Sequence, residues 1–418
     1  MLVKVLAGIL GVTTALVASV SVGAYVAHKQ SEGLQQVDNV VSEQSEEPQQ
    51  DDCVSQYKSK AEQGNAEAQY NLGDCYFEKK DYEKAVYWFG KAAEQRYAKA
   101  QSDLGVCYYN GLGVEQNYKQ AVNWFLKAAE QGLAIAQYYL GQCYSDGEVV
   151  NGELVQDLKQ AWYWYSKAVE QYKKAAEQGD AEAQCMLGEL YSIGGRGVKQ
   201  DKEQSMNWYI KAAEQGYAHA QCILGDIYYY GKYDNYNKYD NYVVKKDYKQ
   251  AVNWYSKAAE QGNVYAQWML GICYYNGNGV EQDYKQAVYW YRKAAEQGYA
   301  FAQFMLGACY GESSGVEQDY KQAAYWYRKA AEQGYAFAQF NLAYAYDNGR
   351  GIEEDKNMAA HWYEQFLKNE DKGEFDLELV IPDAEELRRT TEECPKHAEK
   401  RLRELKNAGY SSEKTIKN

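Results

Sequence analysis

The stretch YWYRKAAEQGYAFAQF fills residues 289–304, and the same sixteen residues return unchanged at 325–340. A catalytic motif has no reason to occur twice at a fixed offset. A structural unit does, and further copies follow. The pair Ala-Gln recurs at Gln69, Gln101, Gln137, Gln184, Gln221, Gln267, Gln303 and Gln339, with spacings of 32, 36, 47, 37, 46, 36 and 36. A tryptophan keeps step at Trp88, Trp124, Trp164, Trp208, Trp254, Trp290, Trp326 and Trp362. KAAEQG or a near relative closes most units. Three markers in register define a repeat with a base period of 36.

Each unit reads as two helices. In AFAQFMLGACY, Ala302, Leu306 and Cys309 share one apolar face at helical spacing. A glycine inside a helix costs about 1 kcal/mol relative to alanine. Its return at Gly73, Gly105, Gly141, Gly188, Gly225, Gly271 and Gly307 therefore implies close approach of a neighbouring helix, with Ala343 in the last unit. Turns such as GNGVEQ stop the first helix. Asp283 with Gln286 then forms the outline of a capping box for the second, and the pattern recurs at Asp157, Asp201, Asp247 and Asp319. The phase of Ala287, Trp290 and Tyr291 assigns the eight tryptophans to core packing as structural repeat residues. A lone helix pair cannot bury both its faces, whereas stacked pairs can.

The pattern A-x-A-Q-x-x-L-G-x-x-Y, then G-x-G-V, then A-x-x-W-Y-x-K-A-A-E-Q-G resembles the Sel1-like repeat, a relative of the tetratricopeptide repeat. The resemblance implies an all-α fold: a right-handed α/α superhelical solenoid of about eight helix pairs, with capping helices at both ends. It further implies a scaffold or adaptor for protein complexes, with the first helices lining the concave side. Bacterial relatives are often exported or envelope-associated.

The organisation reads as four parts. Residues 1–28 form a signal peptide or a signal-anchor transmembrane helix, whose apolar run from Val5 to Ala27 contains no charge. Residues 29–52 are a flexible Gln/Glu/Ser-rich linker. Residues 53–368 are the repeats, and 369–418 are charged capping helices and tail, broken near Pro395. A stutter at KAVEQYKKAAEQG (167–179) should lengthen one second helix by about two turns. EVVNGELV and KYDNYNKYDNY are insertions in turns.

The net charge of −14 and the absence of a basic stripe argue against nucleic acid as a partner. Seven of the nine cysteines stand one to a repeat and read as small buried hydrophobes; Cys53 and Cys394, outside the repeats, are the more reactive candidates. The four histidines show no ligand spacing in the sequence, and no nucleophile, phosphate-loop or dinucleotide motif is present. The expectation is therefore a non-enzymatic chain with no catalytic, metal or cofactor residues.

Positions that vary from unit to unit while pointing outward can discriminate partners. Trp268, Ile272, Phe304, Ala308, Phe340 and Tyr344 form a candidate strip on the concave face. Such a strip is either an exposed binding surface for a protein or peptide, or a seam partly buried between repeats. The expected function is an adaptor of the bacterial cell envelope, periplasmic or extracellular, that reaches the membrane through its N-terminal segment. The alternatives are a secreted effector acting on a host protein, or a hydrolase directed at the cell wall or β-lactams.

Overall fold

The structure is a computed structural model that describes residues 53–150, 153–231, 244–369 and 384–411. The expected membrane segment, the linker and the KYDNYNKYDNY insertion lie outside the described residues. Helix α1 (Cys53–Glu62) precedes eight helix pairs. These are α2 (Ala66–Glu78) with α3 (Tyr82–Glu94), α4 (Ala98–Asn110) with α5 (Tyr118–Glu130), α6 (Ala134–Asp146) with α7 (Leu158–Glu177), and α8 (Ala181–Ile193) with α9 (Lys202–Glu214). There follow α10 (Ala218–Tyr230) with α11 (Tyr248–Glu260), α12 (Val264–Asn276) with α13 (Tyr284–Glu296), α14 (Ala300–Glu312) with α15 (Tyr320–Glu332), and α16 (Ala336–Asn348) with α17 (Lys356–Lys368). Helix α18 (Ala384–Asn407) packs on α17. The fold is an all-α solenoid whose chain divides into two compact units, Met1–Ala220 and Gln221–Asn418.

The paired helices are 13 residues long, except α7 with 20. That excess of about two turns is what the stutter at 167–179 adds. The EVVNGELV insertion forms a small antiparallel hairpin, β1 (Glu148–Val150) with β2 (Glu153–Val155), in which Val150 pairs with Glu153.

Half of the expected capping box is present. The Asp283 carboxylate accepts from the amides of Lys285 and Gln286 at 2.8 and 3.1 Å. The other half is replaced: the Asp283 amide donates 2.9 Å to the carbonyl of Tyr274 in α12. The same bond joins Asp247 to Tyr228, Asp319 to Tyr310 and Asp355 to Tyr346. The N-cap thus ties the second helix to the first, and its own N–H has no need of a glutamine side chain.

The seven recurrent first-helix glycines face aromatic rings of the second helix in the same pair. A Cβ built on Gly271 would lie 2.4 Å from Cδ1 of Tyr291, and one on Gly105 would lie 2.6 Å from Cε1 of Phe125. The second turn glycine serves contact between repeats. A Cβ on Gly113 would strike the Tyr82 carbonyl at 2.3 Å, at the start of the preceding unit's second helix.

The recurrent Ala-Gln glutamine links three helices. Gln101 is buried, and its Nε2 donates 3.0 Å to the Ala93 carbonyl near the end of α3. Its Oε1 accepts at 2.7 Å from Gln131, which closes α5. Gln69, Gln184, Gln267 and Gln303 make both bonds in the same way. Each buried amide thus satisfies a helix C-terminal carbonyl and stitches consecutive repeats together. Among the described residues, one rung is incomplete. Gln137 donates to Ala129 at 3.1 Å, but its buried Oε1 has no donor. Helix α7 runs on past Gln171, so the residue that should close the helix and donate lies within it.

The last repeat is covered by α18, whose Ala398, Leu402 and Leu405 are buried with Ala336, Ala359 and Phe366. The expected break at Pro395 is absent: α18 runs through it. A proline inside a helix costs about 3 kcal/mol. Packing of the following turns against α16 and α17 offsets that cost.

Candidate interaction surface

In six of the eight second helices three consecutive residues meet three environments, because successive side chains point about 100° apart. In α13, Tyr289 is 49% exposed, Trp290 is half-buried and Tyr291 is 0% exposed. In α3, Tyr87, Trp88 and Phe89 divide in the same way. The expectation of core tryptophans is therefore corrected by one position. All eight, Trp88, Trp124, Trp164, Trp208, Trp254, Trp290, Trp326 and Trp362, are half-buried, and the next residue fills the hollow beside the helical glycine.

The outward residue is aromatic in some units and asparagine in others. Tyr87, Tyr163, Tyr289 and Tyr325 are exposed, and each meets the adjacent tryptophan edge-on at 4.9–5.1 Å. Lys293 and Lys329 lie over Tyr289 and Tyr325 at 5.2 and 5.9 Å. Where asparagine stands there, at Asn123, Asn207 and Asn253, the lysine lies over the tryptophan instead, at 3.8–4.2 Å. Trp162 adds a ring that is 61% exposed. These positions carry five of the eleven large exposed apolar side chains among the described residues.

The first-helix strip is less open than an exposed surface requires. Trp268 and Ile272 are 2% and 0% exposed and offer no surface. Their cover comes from within: Trp268 packs on Tyr265, Tyr299 and Phe301, with ring centroids 5.2–5.4 Å apart. Phe301 is the variable residue of the next Ala-x-Ala-Gln, a neighbour not considered in the sequence reading. Phe304, Ala308, Phe340 and Tyr344 are half-buried. Phe304 lies against Phe301, Tyr327 and Tyr335. Phe340 lies against Tyr363, Phe366 and His397, the last from α18.

The seven repeat cysteines are buried, and no disulfide is present among the described residues. Burial pushes the Cys273 and Cys309 thiols up to about 12. Cys394 is also held protonated, pushed up to about 11 by burial, which corrects its expected reactivity. The Cys75 thiol is raised further, by burial and by a hydrogen bond with Cys53. Elsewhere, Nε2 of His219 lies 3.3 Å from Oε1 of Glu189, near Cys185. The sequence reading missed this grouping. Its signals were a Cys and a Glu four residues apart on one helix, with a His at the variable position of the next Ala-x-Ala-Gln.

The Sel1 repeat model matches residues 66–97, 98–133, 134–171, 172–180, 181–217, 218–263, 264–299, 300–335 and 336–371. The chain belongs to the Sel1-repeat family. The short match at 172–180 is the added two turns of α7, so the Sel1 pattern itself registers the stutter as a partial repeat. Sel1 solenoids in general are protein–protein interaction scaffolds without catalytic chemistry.

Similar solved structures include a Sel1 repeat protein from Oxalobacter formigenes, 29% identical over 82% of this chain and 98% of that one, with a TM-score of 0.48. A protective antigen of uropathogenic Escherichia coli that displays an SLR fold is 31% identical over 84% and 94%, with a TM-score of 0.33. Helicobacter pylori cysteine rich protein B is 30% identical over 32% and 93%, with a TM-score of 0.25. The comparison with curated proteins found no match. No helix among the described residues is long and apolar enough to cross a membrane.

Proposed function

We propose that this Sel1-repeat chain is an adaptor of the cell envelope that holds a protein or peptide partner against its helices. In this reading, residues 1–28 export or anchor the chain, 29–52 space it from the membrane, 53–368 carry the binding surface, and 369–418 cap it. The observation that carries the reading is the set of exposed aromatic side chains on the second helices, Tyr87, Trp162 and Tyr163 in the first compact unit and Tyr289 and Tyr325 in the second. Tyrosine and tryptophan present large, stiff apolar area with a polar handle, and both are enriched where proteins meet. Units in which asparagine replaces tyrosine give the row a pattern that a partner can read. The half-buried Phe304, Ala308, Phe340 and Tyr344 of the first-helix strip form the secondary candidate.

The test is site-specific photo-cross-linking in the native cell. A photoreactive residue at 289 or 325 is expected to capture a discrete partner, and one at 308 or 344 to capture less. Capture only from 308 and 344 would move the binding surface to the first helices. Capture from neither pair would end the adaptor reading.

A further inference from the structure

Within the Met1–Ala220 unit, Cys185, Glu189 and His219 bring three different donor atoms together, all within 4.8 Å of one another. Cys185 and Glu189 stand four residues apart on α8 and so share one face. His219 comes from the first turn of α10, in the next repeat. Cys185 is buried, and the Glu189 and His219 side chains are 32% and 31% exposed. The site therefore has a buried sulfur at its floor and a solvent-reached mouth.

The same three repeat positions meet at other junctions, so the proximity follows from the architecture. One junction has Trp268, Ile272 and Phe301, where the first and last meet edge-on with ring centroids 5.2 Å apart. In another, the Tyr265 hydroxyl donates 2.9 Å to Asp226. Only the junction at 185–219 has a thiol, a carboxylate and an imidazole in these places.

We propose that this junction is a divalent metal site, selective for zinc or a zinc-like ion, that ties the first turn of α10 to α8. Thiolate, imidazole and carboxylate are the donor types that zinc accepts. Zinc bonds of about 2.0–2.3 Å in tetrahedral geometry set donors roughly 3.3–3.7 Å apart. The Nε2–Oε1 separation of 3.3 Å already matches. The sulfur must close by a small side-chain adjustment. Binding replaces the thiol proton with the metal, and that proton leaves to solvent. Neutral imidazole supplies its lone pair, and water fills the fourth position. Because the ligands come from α8 and the first turn of α10, the ion stabilises the folded arrangement that brings them together.

Cobalt(II), added to the reduced, metal-free full chain, is the direct probe. The expected result is a thiolate-to-cobalt charge-transfer band that saturates at one equivalent and is abolished by excess zinc. Cys185→Ser should remove that band, Glu189→Gln and His219→Phe should weaken cobalt affinity at least tenfold, and Cys222→Ser should leave it intact. Zinc should raise the melting temperature of the parent chain but not of His219→Phe. If Cys185→Ser loses its helical circular dichroism, the Glu189 and His219 variants decide. Absence of a band, or a band that survives in both of those variants with unchanged affinity, overturns the proposal.

Discussion

Gln131 donates its side-chain amide to the side-chain oxygen of Gln101 across 2.7 Å, one repeat earlier. Gln101 in turn donates to the Ala93 carbonyl, so a buried polar side chain joins the ends of α3 and α5. Gln101→Leu removes two hydrogen bonds: the Ala93 carbonyl keeps only the Arg96 amide, and Gln131 keeps only the Lys127 carbonyl. The expected cost is about 2 kcal/mol. Gln137→Leu should cost about 1 kcal/mol less, because Gln137 Oε1 has no donor to lose. Urea unfolding of the two variants, compared by midpoint, measures the difference. Equal losses would show that the bond between glutamines contributes nothing.

The helical glycines divide into two kinds, and alanine should separate them. At Gly271 a Cβ would lie 2.4 Å from the Tyr291 ring, which is itself locked in the core. Gly271→Ala should destabilise by about 1–3 kcal/mol through overpacking. Adding Tyr291→Leu, which vacates the ring's space, should make the second substitution far cheaper than in the parent chain. Gly90 also sits inside a helix, but a Cβ there meets nothing within 4 Å. Gly90→Ala should stabilise by about 0.5–1 kcal/mol. Thermal melts of the three proteins check the contrast in sign.

What could be read without a structure was whatever local chemistry decides. The N-cap aspartates, the glycine stops and the extra turns of α7 follow from residues adjacent in sequence. The glutamine ladder did not show, because a helical glutamine is ordinarily a solvated residue. Its burial is set by the end of one helix and the start of another. The tryptophans were misassigned by one position, as a face spanning three consecutive residues has an edge that phase alone cannot place. The sequence leaves Trp268 open between an exposed strip and a buried seam, and Tyr299 and Phe301, which pack on its ring, decide for burial. The hairpin at 148–155 was legible after all. Asn151-Gly152 between two short apolar runs is a hairpin signal that the repeat framework obscured.

Arg96 occupies a place built for glycine. Its φ is 66°, where Gly132, Gly262, Gly298 and Gly334 stand at the matching ends of other second helices. A left-handed conformation costs a side-chain-bearing residue roughly 1 kcal/mol. Arg96 is exposed, so its removal sacrifices little packing. Arg96→Gly should stabilise by about 0.5–1 kcal/mol. Ser313→Gly, at φ 65°, should gain less, since Ser313 also donates 3.2 Å to the Val316 carbonyl. Denaturation midpoints of the two variants provide the check, and a loss at Arg96 would contradict the strain argument.

The docking of α18 should depend on pH through one carboxylate. Asp347 is 4% exposed at the end of α16, and Arg401 grips it with two bonds, Nε to Oδ2 at 2.6 Å and Nη2 to Oδ1 at 2.9 Å. Lys356 adds a contact at 3.2 Å. Burial alone would raise the Asp347 carboxyl, but the hydrogen bonds from Arg401 and Lys356 outweigh it and hold the group below the usual carboxylate value. A carboxyl lowered by folding binds fewer protons in the folded state, so its stabilisation is complete above the unfolded value near ~3.9. It fades as pH falls below that value and through the lower folded one. Amide exchange at residues 398–405 should therefore be slow at neutral pH and accelerate under acid before the repeats open. Arg401→Ala should weaken this docking by about 2 kcal/mol at neutral pH and flatten the acid response. If α18 keeps its protection in Arg401→Ala, the apolar contacts of Ala398, Leu402 and Leu405 alone hold the cap.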